Sequence, residues 1–95
     1  MTTVRIKDFE WDDDKARANY AKHKVTFQEA AECFLDPEAL TAPDKDYPDR
    51  FVLIGASKDS KVLFVVSVER AERIRIISAR KASPQQRKTY RHGQK

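Results

Sequence analysis

Apolar residues recur with a helical period in the first third of the chain and with a strand-like period through its second half. Phe9, Glu10 and Trp11 read as a short strand, and an aspartate among Asp12 to Asp14 stands where it can cap a helix running through DDKARANYAKHK. Trp11 and Tyr20 are expected in the core. Thr26 and Glu29 have the T-x-x-E spacing of a capping box, and Phe27, Ala30, Ala31, Phe34 and Leu35 follow at helical intervals, which predicts a second helix stopping at Asp36-Pro37. Only Lys24 and Val25 lie between His23 and that box, so the two helices form a tight corner and pack on the same side of the sheet.

The polar stretch PEALTAPDKDYPDR, with Pro43 and Pro48, predicts one short strand and a loop. Three β-rich runs follow, RFVLIGAS, KVLFVVSV and RIRIISAR, and their links KDS and ERAE are short enough for hairpins. The run VLFVVSV is nearly continuously apolar, as a central strand buried on both faces would be. Ser83 as cap and Pro84 in the first turn open a last, basic helix that continues to Gly93. The expected architecture is α+β, a single domain over residues 1–95. Two N-terminal helices pack on a twisted antiparallel sheet, and a short basic helix closes the chain.

The stretch RIRIISARK fits neither strand face cleanly. Under strict alternation Arg73, Arg75, Ile77 and Ala79 share one face, with Ile74, Ile76, Ser78 and Arg80 on the other. A bulge at the Ile76-Ile77 doublet would instead turn Ile74, one of those isoleucines and Ala79 toward the helices, leaving Arg73, Arg75, Ser78 and Arg80 on the open face. Both arrangements crowd arginines onto a sheet face.

Charge sharpens that pattern. Residues 1–50 hold eight Lys and Arg against twelve Asp and Glu, residues 51–95 hold eleven against three, and no acid follows Glu72. An acidic half joined to a basic half points to nucleic acid or an acidic partner. The single cysteine, Cys33, excludes an internal disulfide and reads as a small apolar residue on a helix; with two histidines it makes no zinc pattern. No apolar run has the length of a membrane span, and the N-terminus lacks the apolar core of a signal peptide, so a cytoplasmic location is expected. With only Gly55 and Gly93 there is no phosphate-cradling glycine loop, and a nucleophile elbow and H-E-x-x-H are absent too.

What remains is a cationic constellation: Arg50 at the entry to the first meander strand, Arg70 at the second hairpin, Arg73, Arg75 and Arg80 on the last strand, and Lys88 with Tyr90 on the last helix. Planar guanidinium groups suit phosphate, so the surface fits an RNA or DNA backbone. The residues alone leave two other readings open, an acidic protein partner and a merely solvated face partly paired with Asp12 to Asp14. His23 reads as a packed or capping histidine at a helix end. Metal-free RNA cleavage needs a base for the 2′-hydroxyl, a stabiliser for the phosphorane and an acid for the 5′-oxygen. The arginines serve the middle task. For the others the chain offers His23, His92, Tyr90, Glu69 and Asp46 or Asp49, none with a self-evident partner.

The blocks FEWD, NYAKHKVTFQEA, IG and RIRIISARKA, with a closing tyrosine in a basic helix, resemble the BrnT family of type II toxins across nearly the whole chain. The resemblance implies a fold like that of the RelE ribonucleases and a bacterial toxin that cleaves RNA without a metal or other cofactor and blocks translation. It further implies neutralisation by a small BrnA-like antitoxin in a heterotetramer, with DNA contacted only through that antitoxin. By role and place it assigns Arg50, Arg80 and Tyr90 to catalysis, with Arg70, Arg73, Arg75 and Lys88 on the RNA. One departure is visible: Lys24 stands where family members usually place glycine, a substitution costing about 1 kcal/mol if that residue closes the helix in the left-handed conformation. The alternatives are a non-catalytic nucleic-acid-binding module and a basic protein that only holds an acidic partner.

Overall fold

The computed structural model describes residues 3–93. Nine elements follow one another: β1 (Thr3–Ile6), β2 (Phe9–Asp12), α1 (Asp13–His23), α2 (Phe27–Cys33), β3 (Leu40–Pro43), β4 (Arg50–Ala56), β5 (Val62–Arg70), β6 (Arg73–Lys81) and α3 (Pro84–His92). Local chemistry sets most helix ends. Asp12 caps α1 by accepting from the Asp14 amide at 3.1 Å. Lys24 closes α1 at φ 59° and ψ 30°, its amide donating to Tyr20 O at 2.8 Å, so the left-handed corner is made by a non-glycine residue. The box at α2 is reciprocal, Thr26 N to Glu29 Oε1 at 2.9 Å and Glu29 N to Thr26 Oγ1 at 3.0 Å. Ser83 and Gln86 form a second box at α3, with Pro84 in its first turn.

The six strands are ordered β1-β2-β6-β5-β4-β3. Two features differ from the sequence expectation. Thr3–Ile6 adds an edge strand paired with β2, and the sheet is mixed, because β2 lies parallel to β6 with Phe9 opposite Ile74 and Glu10 opposite Arg75. A strand that enters before the helices and is joined to its neighbour only through the rest of the chain is free to run parallel to it. Trp11, Val25, Phe27, Ala30 and Cys33 bury against Leu53, Leu63, Val65, Ile76 and Ala79, which places α1 and α2 on one sheet face. Gly55 permits the close approach of α2: a Cβ there would lie 3.0 Å from Cys33 O. Tyr20, expected in the core, is 48% exposed, because α1 turns Asn19 rather than Tyr20 to the sheet; Leu35, the last residue of the apolar period in the second helix, is 74% exposed, because α2 ends at Cys33.

The opposite face is covered only at one end. Arg80 Nη1 donates to Gln86 Oε1 at 3.1 Å, and Gly93 lies against the Leu40 side chain, so α3 rests on the part of this face where Leu40, Ile54, Phe64 and Arg80 lie in register. The rest is open. That is why β5 alternates, with Leu63, Val65 and Ser67 buried and Phe64, Val66 and Val68 half-buried, instead of being enclosed on both sides.

Candidate nucleic-acid interface

The register between β5 and β6 shifts between Val66 and Ser67: Val66 pairs with Ser78 and Ser67 with Ile76, so Ile77 is the extra residue. Ile76 and Ala79 both face the helices, and Arg73, Arg75 and Arg80 all lie on the open face. A regular strand would have sent Arg80 to the side opposite Arg73 and Arg75.

Pairing then aligns charges across the sheet. Arg50 lies opposite Val68, Val68 opposite Arg75, Arg75 opposite Glu10, and Glu10 opposite Arg5. One transverse row on the open face thus reads Arg5, Glu10, Arg75, Val68, Arg50. At one strand spacing per step it extends about 19 Å, with Arg50 about 10 Å from Arg75. Arg75 Nε donates to Glu10 Oε2 at 2.9 Å, the two side chains being 17% and 8% exposed, and Arg5 Nε stands 3.8 Å from Glu10 Oε1. A buried carboxylate between two guanidinium groups is held in one orientation, and Arg75 with it.

Two hollows flank this row and share Arg70 and Arg75 as their common wall. One, about 520 Å³, is lined by Arg50, Lys15, Asp12, Asp49, Glu69 and Ile77 besides. The other, about 700 Å³, is lined by Thr3, Arg5, Glu10, Glu72 and Arg73. The arginine expectations therefore divide. Arg50, Arg70 and Arg75 meet at the hollows, Arg50 with its guanidinium 4.1 Å over the Tyr47 ring. Arg73 lines the second hollow and ties the β1–β2 turn by donating to Lys7 O. Lys88 is exposed on α3.

Arg80 and Tyr90 are not brought to the hollows. Arg80 stacks 4.4 Å over Phe64, four residues along β5 from Val68 and so roughly 13 Å from the row, and is bonded to Gln86. Tyr90 is buried, its hydroxyl donating to Asp36 Oδ2, which also accepts from the Ala56 amide. Burial works against the Asp36 charge, but the bonds from the Tyr90 hydroxyl and the Ala56 and Glu38 amides outweigh it and hold the carboxyl below its usual range. Tyr90 is thus an anchor of α3. Asp13 and Asp14 pair with Arg17 at 2.9 and 2.8 Å rather than with the sheet arginines. Burial, reinforced by Asp36, Glu32 and Glu29, pushes the Cys33 thiol up to about 12, leaving it an inert packing group.

The sequence reading passed over Glu10 and Arg5. The available signal was polarity at a position between two aromatics, since in FEWD the side chain between Phe9 and Trp11 must face away from the helices. Among the described residues no group of three or more His, Cys, Asp or Glu is arranged to hold a metal ion, and no helix is long and apolar enough to cross a membrane.

Fold and site together define a small basic α+β domain with an arginine-lined open sheet face, a class suited to a polyanionic ligand. The chain belongs to the BrnT family, ribonuclease toxins of type II toxin-antitoxin systems, whose pattern it matches over residues 11–86. The crystal structure of the Brucella abortus ribonuclease toxin BrnT is 32% identical and superposes with a TM-score of 0.64, covering 77% of this chain and 92% of that one. No curated protein matches.

Proposed function

We propose that this chain is a metal-independent ribonuclease that cuts RNA on its open sheet face, inhibits translation in the cytoplasm and is silenced by a cognate antitoxin. Family membership supplies the reaction class, and the RelE-like character that the sequence resemblance implies supplies the expectation of a metal-free reaction. The observation that carries the site is the transverse row: in it a carboxylate and several guanidinium groups stand side by side, which is what 2′-hydroxyl attack on a phosphodiester requires.

The scissile phosphate lies on the wall shared by Arg70 and Arg75, with Arg50 across the first hollow. Arg80, held flat against Phe64, takes a flanking phosphate, and Lys88 extends the track along α3. The open face also has an aliphatic floor of half-buried Val52, Val66, Val68 and Ile77. An acidic, amphipathic segment of a BrnA-like antitoxin fits that floor and its arginine rim better than RNA alone does, and two toxins bridged by a dimeric antitoxin make the heterotetramer, DNA being contacted through the antitoxin.

The test is incubation of the purified protein with a long RNA and excess EDTA, followed by a denaturing gel. Discrete fragments are expected. A shifted but intact RNA on a native gel would make the protein a binding module, and an unshifted, intact RNA would leave only the role of holding an acidic partner.

A further inference from the structure

We infer that Glu10 is the general base of the reaction, with Arg75 as the guanidinium that holds both the base and the phosphate. The inference rests on the ribonuclease reading above. Glu10 is the carboxylate that lies within the charged row, in register with Arg75 on one side and Arg5 on the other. Its side chain is only 8% exposed, yet it lines the second hollow together with Arg70 and Arg73. Of the other acids of the interface, Asp49 and Glu72 lie in loop and turn positions and Glu69 stands near the end of β5 opposite Ile74, and among the described residues no ion pair fixes the orientation of any of them.

The groups facing Glu10 come from every element packed around it. β1 supplies Arg5, β6 supplies Arg73 and Arg75, the end of β5 supplies Arg70, the β5–β6 turn supplies Glu72, and Asp12 follows two residues along its own strand, occupied in capping α1. Cations dominate, so a phosphodiester is drawn to the carboxylate instead of being repelled by it. Arg75 uses Nε on Glu10 and Nη2 on Thr3 Oγ1 at 3.5 Å, which fixes the plane of the fork. A phosphate on that fork brings its ribose 2′-hydroxyl beside Glu10.

The step balances without a co-reactant. Glu10 accepts the 2′-hydroxyl proton as the 2′-oxygen bonds to phosphorus; the phosphorus–5′-oxygen bond breaks, and the 5′-oxygen takes a proton from water at the open mouth of the hollow. The products are a 2′,3′-cyclic phosphate and a 5′-hydroxyl, with Glu10 returning its proton to solvent.

The test is the pH–rate profile of Glu10→Gln on the same RNA, under single-turnover conditions and with folding checked by circular dichroism. Gln keeps an acceptor for Arg75 Nε, so the fold and RNA affinity should hold. The rate at neutral pH should fall about a hundredfold and the acid limb of the profile should vanish. Glu10→Asp, a carboxylate one methylene shorter, should be slow but keep that limb, and it replaces the Gln variant if the latter does not fold. A wild type that cuts beside a Glu10→Gln variant with an unchanged profile, or a Glu10→Asp variant without the limb, overturns the assignment alone. A wild type that leaves RNA intact overturns the parent reading and this one with it.

Discussion

Asn19 of α1 grips Ala79 of β6 by both of its backbone groups: Nδ2 donates to Ala79 O at 2.8 Å, and the Ala79 amide donates to Oδ1 at 3.2 Å. The same Nδ2 reaches Val25 O at 3.1 Å. β2 pairs with β6 only at Phe9 and Glu10, so further along β6 its outer edge has no strand beside it, and a buried side-chain amide does the strand's work. Asn19 thereby holds the backbone just past the Ile77 bulge, next to Arg80. Asn19→Ala would leave these backbone groups buried without partners, and a loss of about 2–3 kcal/mol is expected, read as a lower urea midpoint. Asn19→Asp should also destabilise, since it sets an acceptor against two carbonyls.

Tyr90 is predicted to act through α3 rather than on RNA. Tyr90→Phe removes the bond to Asp36 and should lower stability by about 1 kcal/mol while leaving the single-turnover cleavage rate within a factor of about two. A well-folded variant with a collapsed rate would return Tyr90 to the reacting groups.

Acid should unfold the domain through two carboxylates. Glu29 is held below its ordinary 4.5 chiefly by the Thr26 amide, with help from Lys61, although partial burial opposes this; Asp36 lies below its ordinary 3.8. Both folded values are depressed, so the stabilisation is complete above the ordinary values and is lost as pH falls through the folded ones. Thr26→Ala should cost about 1 kcal/mol at neutral pH yet leave most of the acid-dependent loss in place, because the Thr26 amide that chiefly holds Glu29 down is kept and only the lesser hydroxyl bond is removed. Denaturation midpoints at neutral and acid pH check both parts.

The arginines should separate by role. Arg50→Ala is expected to slow cleavage about a hundredfold with binding nearly retained, and Arg50→Lys to rescue little, since an ammonium cannot offer the fork. Arg80→Ala should weaken binding and reduce its salt slope by about one, leaving the rate at saturation close to wild type. The reverse pattern would move the scissile phosphate to the α3 end of the face.

The antitoxin is predicted to cover the open face. Binding should raise the melting temperature, protect β5 and β6 amides from exchange and stop cleavage. A complex whose contacts fall only on α1 and α2 would refute the covering arrangement.

What the sequence made legible was local. The Thr26–Glu29 box and the Ser83 cap followed by Pro84 are signals a few residues long, and their chemistry does not depend on the rest of the chain. The bulge, too, was written locally, as a break in alternation within nine residues, though only the pairing with β5 decides between the two arrangements. Non-local features were hidden. β1 is four residues on an edge, the parallel pairing of β2 depends on a strand more than sixty positions away, and one asparagine in a polar helix carries no period that would mark it as buried. The same holds for the site. Arginine content was plain, but its sorting into a row with Glu10, a bonded Arg80 and a buried Tyr90 follows from register.

Glu10 and Arg75 stand 65 positions apart along the chain, and Asn19 and Ala79 stand 60 apart. The meander of β3, β4 and β5 can close among neighbours as it is synthesised, whereas β2 and α1 must wait for β6. The charged row is therefore among the last parts of the fold to form, and whatever loosens the β2–β6 pairing should dissolve the row before it dissolves the meander.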